Sequence, residues 1–338
     1  MFSKLYFSLF KFFLSPIERI LLPRYKGSAL RGGFGTVFKQ VACTVRKQYC
    51  HQCILKATCA YSYIFETPCT DSLKAKYNLS DYPHPFVIEP PLEQKQEYGP
   101  GESLDFNLLL IGKGIDYLPY FVFTFEELGR RGIGRGRGKY HLEKVEALAQ
   151  LHQQQGTIIY DGRSKTLSAK YEVKDLLKIT EKASRDNQQI DRLTLHFLTP
   201  TRIKHRGKLT KDVDFEIILR GLLRRILLLS ELHCDQKLDI NCEQLLRKAE
   251  AVRTVHNSLH WQDWQRYSSR QQARMKLGGF LGQIAFQGDL DKFMPFIRLG
   301  EYLHLGKGTS FGLGKYRIIT QSAKPQFACH KDTKTQRD

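Results

Sequence analysis

Residues 300–319 read GEYLHLGKGTSFGLGKYRII, and their reading decides what kind of surface this chain builds. Gly306, Gly308, Gly312 and Gly314 are interleaved with Lys307, and Lys315 leads into the strand-like run Tyr316 to Ile319. Glycine admits positive φ and lets main-chain N–H groups approach a ligand, so the stretch reads as a cradle for phosphate oxygens. A dinucleotide fingerprint requires G-x-G-x-x-G between a strand and a helix; here the spacing is G-x-G-x-x-x-G-x-G and a β-like run follows, which excludes it. A Walker A loop requires Ser or Thr after Gly-Lys, and neither Gly314-Lys315-Tyr316 nor Gly138-Lys139-Tyr140 supplies one. An ordinary glycine-rich hairpin is the alternative.

The same device occurs earlier. In Gly129 to Tyr140, GRRGIGRGRGKY, the segment Gly136-Arg137-Gly138-Lys139-Tyr140 mirrors Gly312-Leu313-Gly314-Lys315-Tyr316. A helix signal precedes each copy and a strand signal follows it, which argues for a duplicated domain. The first half predicts a strand over Lys4 to Leu14 and a helix over Gly27 to Val45 with Ser28 as a cap. Strands follow at Phe86 to Glu89 and Ser103 to Gly112, then a helix from Leu118 to Leu128 ending at Gly129, then strands at Tyr140 to Ala147 and Thr157 to Asp161. After a polar, partly helical connector, Ser164 to Asp191, the pattern restarts. Arg192 to Leu198 alternates as a strand, a helix capped by Asp212 carries Phe215 to Leu229, Phe280 to Phe286 is a strand, and Asp291 to Leu299 is a short helix.

Lys and Arg outnumber Asp and Glu by 53 to 34, a formal charge of +19, so a polyanion is the expected partner, nucleic acid before an anionic membrane. The 338 residues imply two domains. The start MFSKLYFSLFKFFL has the look of a signal peptide, but Lys11 interrupts it, and Pro16, Glu18 and Arg19 stop any membrane-length apolar span. The expected location is cytoplasmic, where clustered thiols serve metals more often than disulfides. Cys43, Cys50, Cys53 and Cys59 combine one C-x-x-C step with two flanking thiols, a spacing that suits a structural zinc or, alternatively, an iron–sulfur cluster. A buried thiol cluster without metal is the other reading. Near Trp261 and Trp264, aromatics interleave with Arg266, Arg270 and Arg274, as base-stacking surfaces do, although packing into the second core explains the tryptophans equally well.

Strand, helix, strands and a terminal glycine-rich loop, twice over in a basic chain, resembles the CRISPR-associated endoribonucleases that cut precursor crRNA, within the repeat-associated mysterious protein (RAMP) superfamily. Leu305 to Tyr316, LGKGTSFGLGKY, resembles that family's signature loop, and Phe197-Leu198-Thr199-Pro200 and Trp264 to Gln271 also fit. The resemblance implies an α+β fold of tandem ferredoxin-like (RRM-like) domains, here 1–185 with a Cys-rich insertion and 186–325, with a tail at 326–338. It also implies a CRISPR repeat RNA as ligand and effector-complex subunits as further partners. The implied chemistry is metal-independent attack by a 2′-hydroxyl, leaving a 2′,3′-cyclic phosphate and a 5′-hydroxyl. By resemblance the catalytic candidates are His51 and Lys56, with Tyr61 a looser one; His304, just before the signature loop, is the rival, with Lys307 as its phosphate partner. RNA contact is expected from Arg31, Arg130, Arg131, Arg135, Arg137, Lys139, Lys204, Arg206, Lys208, Arg270 and Lys307, and from Gly306, Gly308, Gly312 and Gly314. A non-catalytic RNA-binding subunit of an effector complex is the alternative, keeping the loops without the acid and base.

Overall fold

The computed structural model describes residues 5–45, 49–67, 82–175, 190–263, 265–268 and 273–320. Its first half runs β1 (Tyr6–Pro16), α1 (Gly27–Ala42), β2 (Phe86–Glu89), β3 (Leu104–Ile111), α2 (Leu118–Arg131) and β4 (Tyr140–Leu148). These strands pair antiparallel in the order β2-β3-β1-β4, and β5 (Thr157–Asp161) and β6 (Thr166–Leu167) extend the β4 edge. The second half runs β7 (Arg192–Thr201), α3 (Phe215–His233), β8 (Arg253–Asn257), β9 (Gly279–Gln287), α4 (Met294–Leu303) and β10 (Tyr316–Thr320), in the sheet order β8-β9-β7-β10. Each half is thus a strand-helix-strand-strand-helix-strand unit with its second, third, first and fourth strands side by side, the ferredoxin-like arrangement. The α+β reading of the sequence describes the molecule. The proposed boundary at 185/186 and the tail at 326–338 lie outside the described residues.

The duplication reaches individual hydrogen bonds. Ile133 N–H donates to Gly138 O, and Leu305 N–H to Gly314 O, both at 2.9 Å. Arg135 N–H donates to Leu21 O at 2.8 Å, and Lys307 N–H to Arg202 O at 2.9 Å. The Tyr140 hydroxyl donates to Phe125 O at 2.9 Å, and the Tyr316 hydroxyl to Ile297 O at 2.5 Å. Arg135 and Lys307 are therefore equivalent positions.

The first sheet has two apolar faces. Phe10, Phe12, Leu14, Phe106, Leu108 and Ile88 pack under α1 and α2, while Phe7, Leu9, Leu109, Ile111 and Val87 join the core of the second half. A strand buried on both sides needs a near-continuous apolar run, which is why β1 has the look of a signal peptide.

Several local expectations change. α1 starts after Lys26 with no side-chain cap, and Ser28 Oγ is buried rather than capping. α2 passes through Gly129 to Arg131, because Gly129 lies against the backbone and ring of Tyr140 and serves packing rather than termination. The cap of α3 is Asp214, whose Oδ1 accepts from Ile217 N–H at 2.8 Å, not Asp212. The connector carries short strands at Thr166–Leu167 and Lys174–Asp175.

Candidate active site at the seam between the halves

The C-terminal glycine loop folds inward against the first half. Gly27, at the start of α1, lies so close to the Phe311 carbonyl that a Cβ there would overlap it, and Gly312 sits against Ile88 and Pro90. The Tyr25 hydroxyl donates to Phe311 O at 2.8 Å. Within the second half, the Thr199 hydroxyl donates to Gly312 O and accepts from Lys315 N–H, both at 2.8 Å. The amides of Leu305, Lys307, Phe311, Gly312 and Gly314 all donate to main-chain carbonyls. Against the phosphate-cradle expectation, these five N–H groups are occupied in shaping the loop and in tying it to Pro200 and Arg202 of the second half.

Beneath the loop lies a buried polar cluster that joins the halves. Glu89, at the end of β2, is 2% exposed and receives His304 Nε2 at 2.8 Å, Lys315 Nζ at 2.8 Å and Asn107 Nδ2 at 3.2 Å. Burial opposes ionisation of Glu89, but the charge of Lys315 and the contact from His304 hold its carboxyl well below the usual carboxylate range. His304 is fully buried, its Nδ1 lies 3.1 Å from Leu313 O, and burial pushes its pKa down against the pull of Glu89. The rival catalytic position thus has no solvent face, and Glu89, its partner, was not singled out from sequence. A second join is His233, buried at the end of α3. Its Nε2 lies 2.9 Å from Pro83 O, its Nδ1 lies 3.1 Å from the Tyr63 hydroxyl, and burial lowers its pKa to about 4.

At the rim of the seam stands a group with chemical potential. The Arg31 guanidinium is held between the rings of Phe65 and Phe311, 4.7 and 4.6 Å from their centroids, so it bridges the first half and the glycine loop. Arg31 Nη2 lies 3.5 Å from His84 Nε2, and Thr67 Oγ1 lies 3.4 Å from His84 Nδ1. His84 is partly exposed and stacks on Phe86. Thr67, 3% exposed, follows a π-helical turn, Ser62–Glu66, and has φ 41° and ψ 80°. A left-handed conformation is strained for a β-branched residue, and π turns and such strain recur at functional sites. Arg31 was expected at the site; His84 and Thr67 were not.

The residues chosen after the first helix fall elsewhere. His51 lies exposed in a 3-10 turn, Cys50–Gln52, beside the ring of Tyr49. Lys56 and Tyr61 line a cavity with Cys43, Cys50, Cys53 and Cys59, and Tyr61 also stacks on Phe65 in the aromatic core. All four thiols are free. Burial raises the pKa of Cys50, and the neighbouring Cys43 and Cys59 push the same way, favouring the neutral thiol. Among the described residues, no three His, Cys, Asp or Glu groups form a cluster able to hold an ion, so the metal expectation finds no support in this geometry.

The cationic positions form exposed tips. Arg130, Arg131, Arg135, Arg137 and Lys139 are all exposed; Arg130 pairs with Glu127, Arg131 donates to Gln40, and Lys139 lies 3.4 Å from Glu18. Lys204, Arg206 and Lys208 are exposed on a β-hairpin, Ile203–His205 with Lys208–Thr210, turned by Arg206 and Gly207 at positive φ. Its base meets the C-terminal loop through the Arg202–Gly306 bridge, which brings Lys307 alongside. Trp261 is half-buried, faces Leu209 to Asp212 across a groove and donates to Asp263 at 2.8 Å. Arg270 and Trp264 lie outside the described residues.

Fold and seam together define an α+β protein of two ferredoxin-like units locked by an inward glycine loop and carrying outward basic tips. A family model described as an N-terminal domain matches residues 5–172, and the model for the CRISPR-associated endoribonuclease Cas6 matches residues 195–316. A protein of Archaeoglobus fulgidus, described as uncharacterised, is 23% identical over 300 residues, 88% of this chain and 92% of its own length. Thermus thermophilus Cas6 matches over 94% of this chain and 100% of its own, with a TM-score of 0.53 at 15% identity. A partial Cas6-RT-Cas1–Cas2 complex covers 95% of this chain with a TM-score of 0.57 at 13% identity, and this chain spans 48% of that longer one. These structural likenesses establish the shared fold. By the family model that it matches, the second half of the chain, residues 195–316, is a Cas6-type domain. Among the described residues, no helix is long and apolar enough to cross a membrane.

Proposed function

We propose that this protein binds CRISPR repeat RNA and cuts precursor crRNA without a catalytic metal, the 2′-hydroxyl beside the scissile phosphate attacking in line to leave a 2′,3′-cyclic phosphate and a 5′-hydroxyl. The observation that carries the reading is the Cas6-family domain at residues 195–316, whose glycine loop seats Phe311 on Arg31. This chemistry requires a base, a proton for the leaving oxygen and a cation on the phosphate, and the rim of the seam offers an imidazole beside a guanidinium. The exposed tips at Arg135, Arg137, Lys204, Arg206 and Lys208 suit backbone contacts with an RNA read mainly by shape. The likeness to a Cas6-RT-Cas1–Cas2 complex supports CRISPR proteins as further partners. Incubation of the purified protein with repeat RNA in EDTA is the test. One cut bearing a cyclic phosphate is the expected outcome, and tight binding with no cut would favour a non-catalytic RAMP subunit instead.

A further inference from the structure

We infer that His84 is the general base of this cleavage, with Thr67 fixing its tautomer and Arg31 holding the scissile phosphate. The assignment rests on the endoribonuclease reading above. A guanidinium has donors and no acceptor, so the nitrogen it faces, Nε2, must present its lone pair. The ring proton then sits on Nδ1 and is donated to the Thr67 hydroxyl oxygen. The result is a neutral imidazole whose basic nitrogen opens toward the cation that would bind the phosphate. Separations of 3.4 and 3.5 Å are loose, as catalytic hydrogen bonds often are before substrate arrives.

The sequence of events follows from that geometry. A phosphate entering the rim takes the forked donors of Arg31, which Phe65 and Phe311 hold in place, and frees Nε2 for the adjacent 2′-hydroxyl. Nε2 takes the hydroxyl proton as the 2′-oxygen bonds to phosphorus. The bond from phosphorus to the 5′-oxygen breaks, that oxygen takes a proton from water, and the imidazolium later returns its proton to solvent. Other placed histidines suit this role less. His304 has both nitrogens against acceptors in a closed interior, and His233 is enclosed between Tyr63 and Pro83. His51 stands on an exposed turn beside Tyr49. His152, 3.5 Å from the exposed Arg317, is the natural control.

The test uses the full chain and a synthetic RNA copying the CRISPR repeat of the source genome, under single-turnover conditions in EDTA. His84→Ala should slow cleavage by about 10²- to 10⁴-fold, the usual contribution of a general base. Added imidazole should restore much of that rate. Binding of the same RNA with a 2′-deoxy substitution at the cut should be unchanged, as should cleavage by His152→Ala. Should His84→Ala fail to fold, Thr67→Val and Thr67→Ser decide the matter: the first should be slow, and the second, which keeps the hydroxyl, near wild type. Wild-type cleavage by His84→Ala, or equal rates for the two Thr67 variants, would overturn the assignment and leave the endoribonuclease reading standing. Bound repeat RNA left uncut by the wild-type protein would overturn both.

Discussion

His304 occupies the corner that Gly132 occupies in the first half. Both follow the last residue of the second helix of their unit, Gly132 at φ 79° and ψ 155°, His304 at φ 62° and ψ 164°. That region is open almost only to glycine, and a side chain there costs about 1–3 kcal/mol. The surroundings over-determine it: Nδ1 meets Leu313 O, Nε2 meets Glu89, and Arg225 Nε donates to Leu303 O at 2.7 Å just before the corner. Backbone strain has thus been accepted in exchange for a side chain that reaches the other half. A pH dependence follows. Glu89 has a depressed pKa when folded, so its contribution is present above the ordinary value of about 4.3 and is lost as pH falls toward the depressed one. The His304 pKa is lowered too, so below about 6.5 the unfolded chain binds the proton more readily and stability is again lost. Both signs agree. The melting temperature should fall as pH drops from 7 to 3, first through His304 and His233 and then, below about 4.3, through Glu89, so Glu89→Gln should lower it at pH 7 and flatten the profile below about pH 4.3. A profile equally steep below about pH 4.3 in wild type and variant would remove Glu89 from the account.

The two glycine loops show how one element came to do two jobs. Their shared hydrogen bonds keep the same corner, yet the first loop ends in an exposed tip at Arg135 to Arg137, whereas the longer second loop carries a turn, Thr309–Phe311, that docks on α1. The repeat was legible in the sequence because G-x-G-K-Y recurs, and the strands and helices were legible from their apolar periods. The destination of the second loop was not, since glycine serves close backbone approach and ligand approach alike. Nor was the seam: Glu89 and His304 are 215 residues apart, and no local pattern links them. His84 and Thr67 are illegible in the sequence for the same reason, as their meaning depends on where Arg31 is held. Docking of the second loop can be tested within α1 itself. Gly27→Ala places a methyl group into the Phe311 carbonyl, so the melting temperature should fall and cleavage with it. At Gly32 an added Cβ meets nothing within 4 Å, so Gly32→Ala should gain about 0.5–1 kcal/mol from helix propensity. Denaturant titration separates the two; a stabilised Gly27→Ala would mean that the loop is not pressed on α1.

Across the whole molecule, the sheet that is apolar on both faces makes the halves share a core, so the exposed cations ride on a common scaffold. Two of their groups, Arg135 with Arg137 on the first loop and Lys204, Arg206 and Lys208 on the hairpin, stand at tips where a polyanion would meet them. Arg135 has the same place in the first half as Lys307 in the second, each amide bound to the segment leaving its own first strand. If the net charge of +19 serves RNA binding through these tips, removing cations should change the salt dependence of binding more than its sequence preference. Each phosphate contact contributes about 0.7 to the slope of log K against log salt on a single strand and about 0.9 on a B-form duplex. Arg135→Ala with Arg137→Ala should therefore make the slope shallower by about 1.4 to 1.8. The hairpin triple variant should do so by about 2.1 to 2.7. The measurement is equilibrium binding of a cut-resistant 2′-deoxy repeat RNA over a salt series, with a scrambled RNA alongside. Unchanged slopes in both variants would place the RNA on another face of the protein, and a loss confined to the repeat RNA would mean that these cations read sequence rather than hold the backbone.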